Sequence, residues 1–592
     1  MQQTSDLERS MTRARNWSQD PYLDQADRDQ VNKLLDNNNQ TEIIDAFYRD
    51  LEFGTGGLRA VMGVGTNRMN KYNIRRATQA LAQQVLALAK SKGDTVAKIA
   101  IGYDSRHNSA FFASEVACVM AGNGVHAFLF EYLVPVPLVS YSVRMHHAHA
   151  GVMVTASHNP PAYNGYKVYW DDGAQVIPPY DKQIINTYNS LASFSQVKYM
   201  PLDQALKNNL ITMVGKNVED SYFEMLKTKS IDPGMCQERG RELKIVYTPI
   251  HGAGLLPCLR ALHELGFNEV MVPAQQREPN GAFPTVKSPN PENPDALKMA
   301  VDLMKEYQAD LVFGTDPDCD RLGVALLHRG EVFYPNGNQL GLLMLHYVLS
   351  RLKENNRLPA KGYFIKTIVT SELQATVAKA FGVEVHNTLT GFKWICGLMR
   401  ELDQKHPEKK FIFATEESFG YMTHNNVRDK DGICSVAMMA ELALWYKTRG
   451  MNLVQALDSI YEQYGFSDET LLSLDFEGKA GAEKINRIMD HFRHSFNQDL
   501  DGEKVLAVED YQAGVILSKG EKIPLTLPKS NVLGYALASG NKLYLRPSGT
   551  EPKIKFYLLI QCREGTLLQK KATAKAIVDK LLSFIRRQAE MA

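Results

Sequence analysis

The chain has 592 residues, 44% of them hydrophobic, and its 67 Lys and Arg against 66 Asp and Glu leave a net charge of +1. Such a length asks for several domains with full-sized cores. The charge balance removes any electrostatic ground for nucleic acid or an anionic membrane as a partner. Seven cysteines without a CxxC pair read as free thiols of a reducing compartment. The polar opening MQQTSDLERSMTRARNW has no apolar stretch resembling a secretory signal, and the longest apolar run, LGLLMLHYVL at 340–349, is too short to span a bilayer. A soluble, cytoplasmic protein is expected.

In chain order, FGTGGLRA (53–60) sets a glycine-rich turn before Arg59, which is ambiguous by itself. KIAIGYD (98–104), a helical stretch near 109–122 and GVHAFLF (124–130) then read as strand, helix and strand. The next apolar strand ends in a polar cluster, GVMVTASHNP (151–160), where Asn159-Pro160 signals a turn and Ser157 sits at the strand end. Alone, Ser157 reads equally as a turn residue, and Lys167 in NGYKVY (164–169) as a solvated lysine.

The same order returns twice. LKIVYTP (243–249), LLPCLRALHELG and FNEVMVP (267–273) precede DLVFGTDPDCDR (310–321). GYFIKTI (362–368), SELQATVAKAFG and VEVHNTL (383–389) precede FIFATEESFG (411–420). Each helix stops at a glycine, as a helix about to turn back does. Continuously apolar strands spaced by helices predict mostly parallel sheets covered on both faces, with ligands at the carboxyl ends of strands. Past about residue 465 the texture changes, and LYLRPSGTEPKIKFYLLI (543–560) reads as two strands around a loop before a C-terminal helix.

In DPDCD, Asp316, Asp318 and Asp320 alternate, so an extended backbone would aim all three carboxylates one way. They would repel one another without a cation between them, and an all-oxygen set suits Mg²⁺ rather than zinc. An EF-hand would need Gly and Glu where Arg321 and Leu327 stand, so that reading fails. Cys319 has no assigned role. RPSGTEP (546–552) offers Arg546, Ser548, Gly549 and Thr550, an inventory for phosphate that also fits a plain β-turn. TEESFG offers Glu416 and Ser418 as partners for vicinal sugar hydroxyls, or simply a solvated strand end, and TGFKWI (390–395) offers Lys393. No Walker loop, GxGxxG or GxSxG occurs, which counts against nucleotide hydrolysis, dinucleotide binding and a serine-hydrolase elbow.

TASHNP, GTDPDCDR, TEESFG and RPSGTEP, in this order, resemble the four signature loops of the α-D-phosphohexomutase superfamily. The length and LEFGTGGLRA resemble its phosphoglucomutase/phosphopentomutase branch more than the shorter phosphomannomutases. The resemblance implies an α/β protein of four domains around a central cleft. Three are related βαβ mixed-sheet domains (1–210, 211–331, 332–464) and the fourth, 465–592, is α+β.

By the same resemblance, Ser157 is the phosphoryl carrier and shares Mg²⁺ with Asp316, Asp318 and Asp320. Arg59, His158, Lys167 and Arg321 balance the transferring group, and Lys393 is a catalytic cation or general acid/base. Glu416 and Ser418 hold the sugar, and Arg546, Ser548, Gly549 and Thr550 hold the phosphate that is not reacting. The implied reaction interconverts α-D-glucose 1-phosphate and glucose 6-phosphate through glucose 1,6-bisphosphate. Phosphopentomutase or phosphomannomutase activity is the alternative. The sugar loop of this superfamily usually reads Gly-Glu-x-Ser-Gly, and here Thr415 and Phe419 stand in both glycine places. Whether the chain is a monomer or a dimer stays open.

Overall fold

The computed structural model describes residues 2–52, 57–476, 478–496, 498–548 and 553–592. The chain divides into two compact units. The first is Met1–Pro335 with Phe392–His406 and Gly420–Leu444; the second is Asn336–Gly391 with Pro407–Phe419 and Trp445–Ala592.

In the first unit, helices Gln2–Gln19, Gln25–Asp36 and Gln40–Phe47 close over their own apolar cluster, in which Trp17 meets Phe47 and Tyr72 edge to face. Six strands follow: Gly57–Val61 (β1), Lys98–Tyr103 (β2), His126–Phe130 (β3), Ala150–Val154 (β4), Tyr163–Trp170 (β5) and Ile211–Val214 (β6). They form one sheet in the order β1-β5-β4-β2-β3-β6. β2 pairs in parallel with β3 and β4, whereas β5 runs antiparallel to β4 and β1. All five residues of β4 are buried, because helices Ser109–Gly122 and Val136–Met145 both pack against it. That double cover is why the sequence there is continuously apolar instead of alternating.

A second sheet takes Ile245–Thr248 (β7), Val270–Met271 (β8), Leu311–Thr315 (β9), Leu322–His328 (β10) and Glu331–Phe333 (β11) in the order β11-β10-β9-β7-β8. β7 is parallel to β8 and β9, and β10 turns back antiparallel on β9.

In the second unit, Gly362–Thr367 (β12) pairs in parallel with Glu384–Thr388 (β13) on one side and Lys410–Glu416 (β14) on the other. Three times, then, a leading strand lies between the strand that follows it and a third that carries a polar cluster at its carboxyl end. The three βαβ repeats expected from sequence are present, and their sheets are mixed where β5 and β10 return. After β14 the chain re-enters the first unit with the short strand Gly420–Met422 (β15).

The C-terminal sheet uses Phe466–Asp475 (β16), Asp499–Leu500 (β17), Glu503–Asp510 (β18), Val515–Ser518 (β19), Glu521–Pro524 (β20), Leu533–Leu537 (β21), Lys542–Pro547 (β22) and Lys553–Cys562 (β23). Its order is β16-β23-β22-β21-β18-β19-β20, with β17 on β18, and neighbouring strands pair antiparallel. Helices Gly478–Ser495 and Leu567–Met591 cover it, so this part is α+β. All seven cysteines are buried and free, and among the described residues no helix is long and apolar enough to cross a membrane.

Phe419, in one of the two places where the resemblance expects glycine, has φ +61°. A side chain in the left-handed region costs about 1 kcal/mol or more. Replacement of Phe419 by Ala keeps that backbone penalty, whereas Gly relieves it. Phe419→Gly is therefore expected to be about 1 kcal/mol more stable than Phe419→Ala in chemical denaturation. Ala ranking at or above Gly would show the backbone there to be unstrained.

Candidate active site

β4 delivers Ser157 three residues past its end. Thr155 Oγ1 donates to Asp104 Oδ2 at 2.6 Å and accepts from the Ser157 backbone N–H at 2.8 Å. Ser157 itself adopts φ +51°, a left-handed turn conformation. The Arg106 guanidinium, buried behind the loop, donates to the carbonyls of Ser157, Asn159, Pro160 and Tyr163. β5 also runs close by, since a Cβ added to Gly165 would lie 2.3 Å from the Thr155 carbonyl oxygen. The serine loop is thus held in one shape by its backbone.

The acids lie directly after β9, and not in an extended segment. The Cys319 N–H donates to the Asp316 carbonyl at 2.9 Å and Cys319 has φ +50°, so the stretch is a turn. Tight turning, and not strand alternation, gathers the carboxylates: one oxygen from each of Asp316, Asp318 and Asp320 lies within 4.8 Å of the others, all three being buried. Cys319 points away, with its Sγ 3.6 Å from the Cys258 Sγ. Asp316 Oδ1 accepts from the backbones of Asp320 and Arg321, both at 3.1 Å. Its Oδ2 accepts from the Ser157 hydroxyl at 2.7 Å. The hydroxyl and the acids therefore share one place.

Lys167 Nζ reaches Asp318 Oδ2 at 2.8 Å and Asp320 Oδ2 at 3.1 Å, and Lys430 Nζ lies 3.0 Å from Asp320 Oδ2. Burial and the two acid neighbours push Asp316 well above the ordinary carboxylate range. Asp320 goes the other way, because Lys167, Lys430 and Arg321 outweigh its burial. Asp318 Oδ1 and Asp320 Oδ1 are buried with no hydrogen-bond partner among the described residues. Two such orphaned oxygens in an all-carboxylate set fit a hard divalent cation.

Arg321 pairs with Glu292, and its Nε is 3.9 Å from both Asp316 Oδ2 and Asp320 Oδ1. Arg59 is exposed on β1 and donates to Asn159 Oδ1 at 3.0 Å. His158 Nδ1 is 3.3 Å from Ser157 Oγ, and burial and then Arg321, Arg59 and Lys430 hold its ring well below the usual imidazole range. Lys393 lies in the first turn of helix Phe392–Lys405, 5.1 Å from the centre of the Trp394 ring.

In the second unit, Glu416 ends β14 and its Oε1 accepts from the Gly391 N–H at 2.9 Å. Ser418 follows in the turn, partly buried. Glu417 Oε2 accepts from Thr367 Oγ1 at 3.0 Å. Arg546, near the end of β22, acts electrostatically on Glu417 and hydrogen-bonds Tyr557. The Ser548 N–H donates to the Lys553 carbonyl at 2.8 Å. Gly549 and Thr550 lie outside the described residues. Nearby, the buried Lys366 Nζ pairs with Glu372 Oε1 at 3.0 Å.

Sequence reading missed Lys430, Arg106, Asp104 and Glu292. RDKDG (428–432) and YDSRHN (103–108) carried the signal for three of them. Arg106 and Asp104 obey the very rule that singled out Ser157, since they follow the carboxyl end of β2.

Burial and then the neighbouring Glu416 push the Glu417 carboxyl up to about 7. A raised carboxyl binds its proton more tightly in the folded state, so stability falls as pH climbs from 4.5 through 7. Glu417→Gln removes this penalty. It should raise the melting temperature relative to the parent at pH 8, by an equivalent of about 3 kcal/mol, with the gain vanishing near pH 4.5. A gain independent of pH would refute the assignment.

Models of the phosphoglucomutase/phosphomannomutase alpha/beta/alpha domains I, II and III match residues 50–194, 220–329 and 336–464. A protein named phosphoglucomutase from Staphylococcus saprophyticus is 35% identical over 545 residues, covering 91% of this chain and 96% of that protein. Another of that name, from Staphylococcus epidermidis strain RP62A, is 35% identical over 553 residues, covering 93% and 98%. Among solved structures, the open form of pp63/parafusin, a phosphoglucomutase from Paramecium, superposes with a TM-score of 0.67 at 18% identity, covering 91% of this chain and 95% of that one. A phosphoglucomutase/phosphomannomutase family protein from Burkholderia thailandensis gives 0.63 at 17% identity, covering 90% and 97%. Three domains matched in order, and a relative aligned over nearly its whole length, make this chain a member of the phosphoglucomutase/phosphomannomutase family, the α-D-phosphohexomutases.

Proposed function

We propose that the chain is a mutase that interconverts α-D-glucose 1-phosphate and glucose 6-phosphate in the cytoplasm, using Ser157 as phosphoryl carrier and glucose 1,6-bisphosphate as intermediate and activator. The observation that carries this reading is the 2.7 Å hydrogen bond from the Ser157 hydroxyl to Asp316 within the acid trio. The 35% identical relatives named phosphoglucomutase support glucose as the sugar.

In this reading Asp316, Asp318 and Asp320, with an oxygen on Ser157, would hold Mg²⁺. When bound, the ion offsets charge on the phosphoryl group and polarises its bond to Ser157. The phosphoryl group passes from Ser157 Oγ to the free hydroxyl of the sugar, breaking the P–Oγ bond and forming a new P–O bond. The hydroxyl proton leaves to a general base, for which Lys393 is the candidate. The bisphosphate then presents its other end, and Ser157 takes that phosphate back.

Lys167 and Arg321 at the acid cluster, with Arg59 and His158 at the serine loop, would balance the negative charge of the transfer. Glu416 and Ser418 would grip ring hydroxyls, and Arg546, Ser548, Gly549 and Thr550 the distal phosphate. A division into domains 1–210, 211–331, 332–464 and 465–592 would give each signature loop its own domain. Thr415 and Phe419 in the sugar loop weaken the case for a hexose, and the alternatives are a pentose or a mannose phosphate handled by the same chemistry.

Purified protein should isomerise glucose 1-phosphate, with a rate that rises on addition of glucose 1,6-bisphosphate and exceeds those on mannose and ribose 1-phosphates. Release of free phosphate without isomerised sugar would identify a phosphatase instead. Ser157→Ala should lower turnover on the order of a thousandfold or more while sparing glucose 6-phosphate binding. Unchanged turnover would reject Ser157 as carrier.

A further inference from the structure

β5 starts beside the serine loop and ends, at Trp170, opposite Ala150, the first residue of β4. At that far end of the sheet a cavity of about 500 Å³ opens, and none of its lining residues has a place in the proposed turnover. Three guanidiniums line it, from Arg144, Arg400 and Arg428. Their partners differ sharply.

Arg400 is satisfied: its Nε donates to Asp172 Oδ2 at 2.7 Å and its Nη2 to Asp171 Oδ1 at 3.1 Å. Lys92 adds a further ammonium on Asp171 at 2.6 Å. Arg428 is not satisfied. It is 4% exposed, its Nη2 bonds Asp403, and its Nε and Nη1 have no hydrogen-bond partner among the described residues. Arg144 donates through Nη1 to the Asp172 backbone carbonyl at 3.0 Å, and among the described residues it makes no ion pair. Burial and then the nearby Arg428 hold the Arg144 guanidinium below its ordinary value.

A buried guanidinium with unused N–H groups facing a like charge is costly as it stands. An oxyanion with several acceptor atoms is what relieves both costs, and paired guanidiniums match it in geometry. The formal charges agree, with Lys92, Arg144, Arg400 and Arg428 against Asp171, Asp172 and Asp403, an excess of one positive charge. Ile177, Pro178 and Tyr180 give the cavity an apolar wall, the Tyr180 ring being stacked on Trp170 at 4.6 Å. The volume accommodates a small organic molecule as well as its phosphate.

We infer that this cavity is a second anion site, which binds a phosphate monoester with its dianion held between Arg144 and Arg428. The neighbouring residues tie it to the acid cluster: Asp429 accepts from Tyr169 at 2.9 Å and from Gln175 at 2.8 Å, and Lys430 sits on Asp320.

Hydrogen exchange of the full-length chain, with and without millimolar ligand, tests this. Inorganic phosphate, glucose 6-phosphate and adenosine 5′-monophosphate form three arms. At least one should slow backbone exchange threefold or more in 171–180 and 399–404, and the strongest arm identifies whether the organic part is read. Arg428→Gln strands Asp403 and could unfold the loop, so Arg144→Gln is made beside it. Arg144→Gln should abolish the slowing while mutase turnover stays within twofold of the parent. Unchanged exchange in all three arms, or slowing that survives in Arg144→Gln, overturns the site. Because exchange is read at these segments and not as turnover, a failed mutase assay leaves this test intact.

Discussion

Three carboxylates buried with an oxygen from each inside 4.8 Å set the terms for the first unit. At about 4 Å and an effective dielectric near 20, each like-charged pair costs roughly 4 kcal/mol, so three pairs approach the whole stability of a typical domain. The arrangement exists only because cations arrive from elsewhere in the chain. Lys167 comes from β5, Lys430 from the segment after β15, and Arg321 from the base of the acid turn itself. Residues more than two hundred positions apart are therefore fixed relative to β9 by electrostatics as much as by apolar packing. A strand β5 displaced by one register would carry its lysine to the other face of the sheet and leave the acids unpaired.

Rigidity around Ser157 follows the same logic. The loop is held through backbone carbonyls on Arg106 and a backbone amide on Thr155, contacts indifferent to what is attached to the serine oxygen. The carrier role proposed for Ser157 would need that indifference, since a loop held through its side chain would lose its shape at every transfer. Catalysis by positioning is compatible with such a frame, because the geometry is set before the substrate arrives.

Much of this was legible in the sequence. The strand–helix–strand order repeated three times, and a polar cluster closed each repeat where sheets place ligands, so Ser157, the aspartates and Glu416 could be singled out before any coordinates. Alternation in DPDCD located the right residues for the wrong reason, because a turn with Cys319 at φ +50° does the gathering. Lys430 and Arg106 were passed over, although their stretches carried a signal, because a lone basic residue reads as solvated surface until the burial of its neighbours is known.

The field around Ser157 has one further consequence. Asp316, Asp318, Asp320 and Glu292 carry four formal negative charges, and Lys167, Lys430, Arg321 and Arg59 carry four positive ones. A phosphoserine brings roughly two negative charges and a divalent cation two positive, so the pair can enter without unbalancing the set. Neither could enter alone at comparable cost: the dianion would face the acids, and the dication would compete with ammonium groups already seated on them. Charge balance among these side chains, more than the strength of any one contact, explains why a hydroxyl can sit beside three carboxylates in a protein interior.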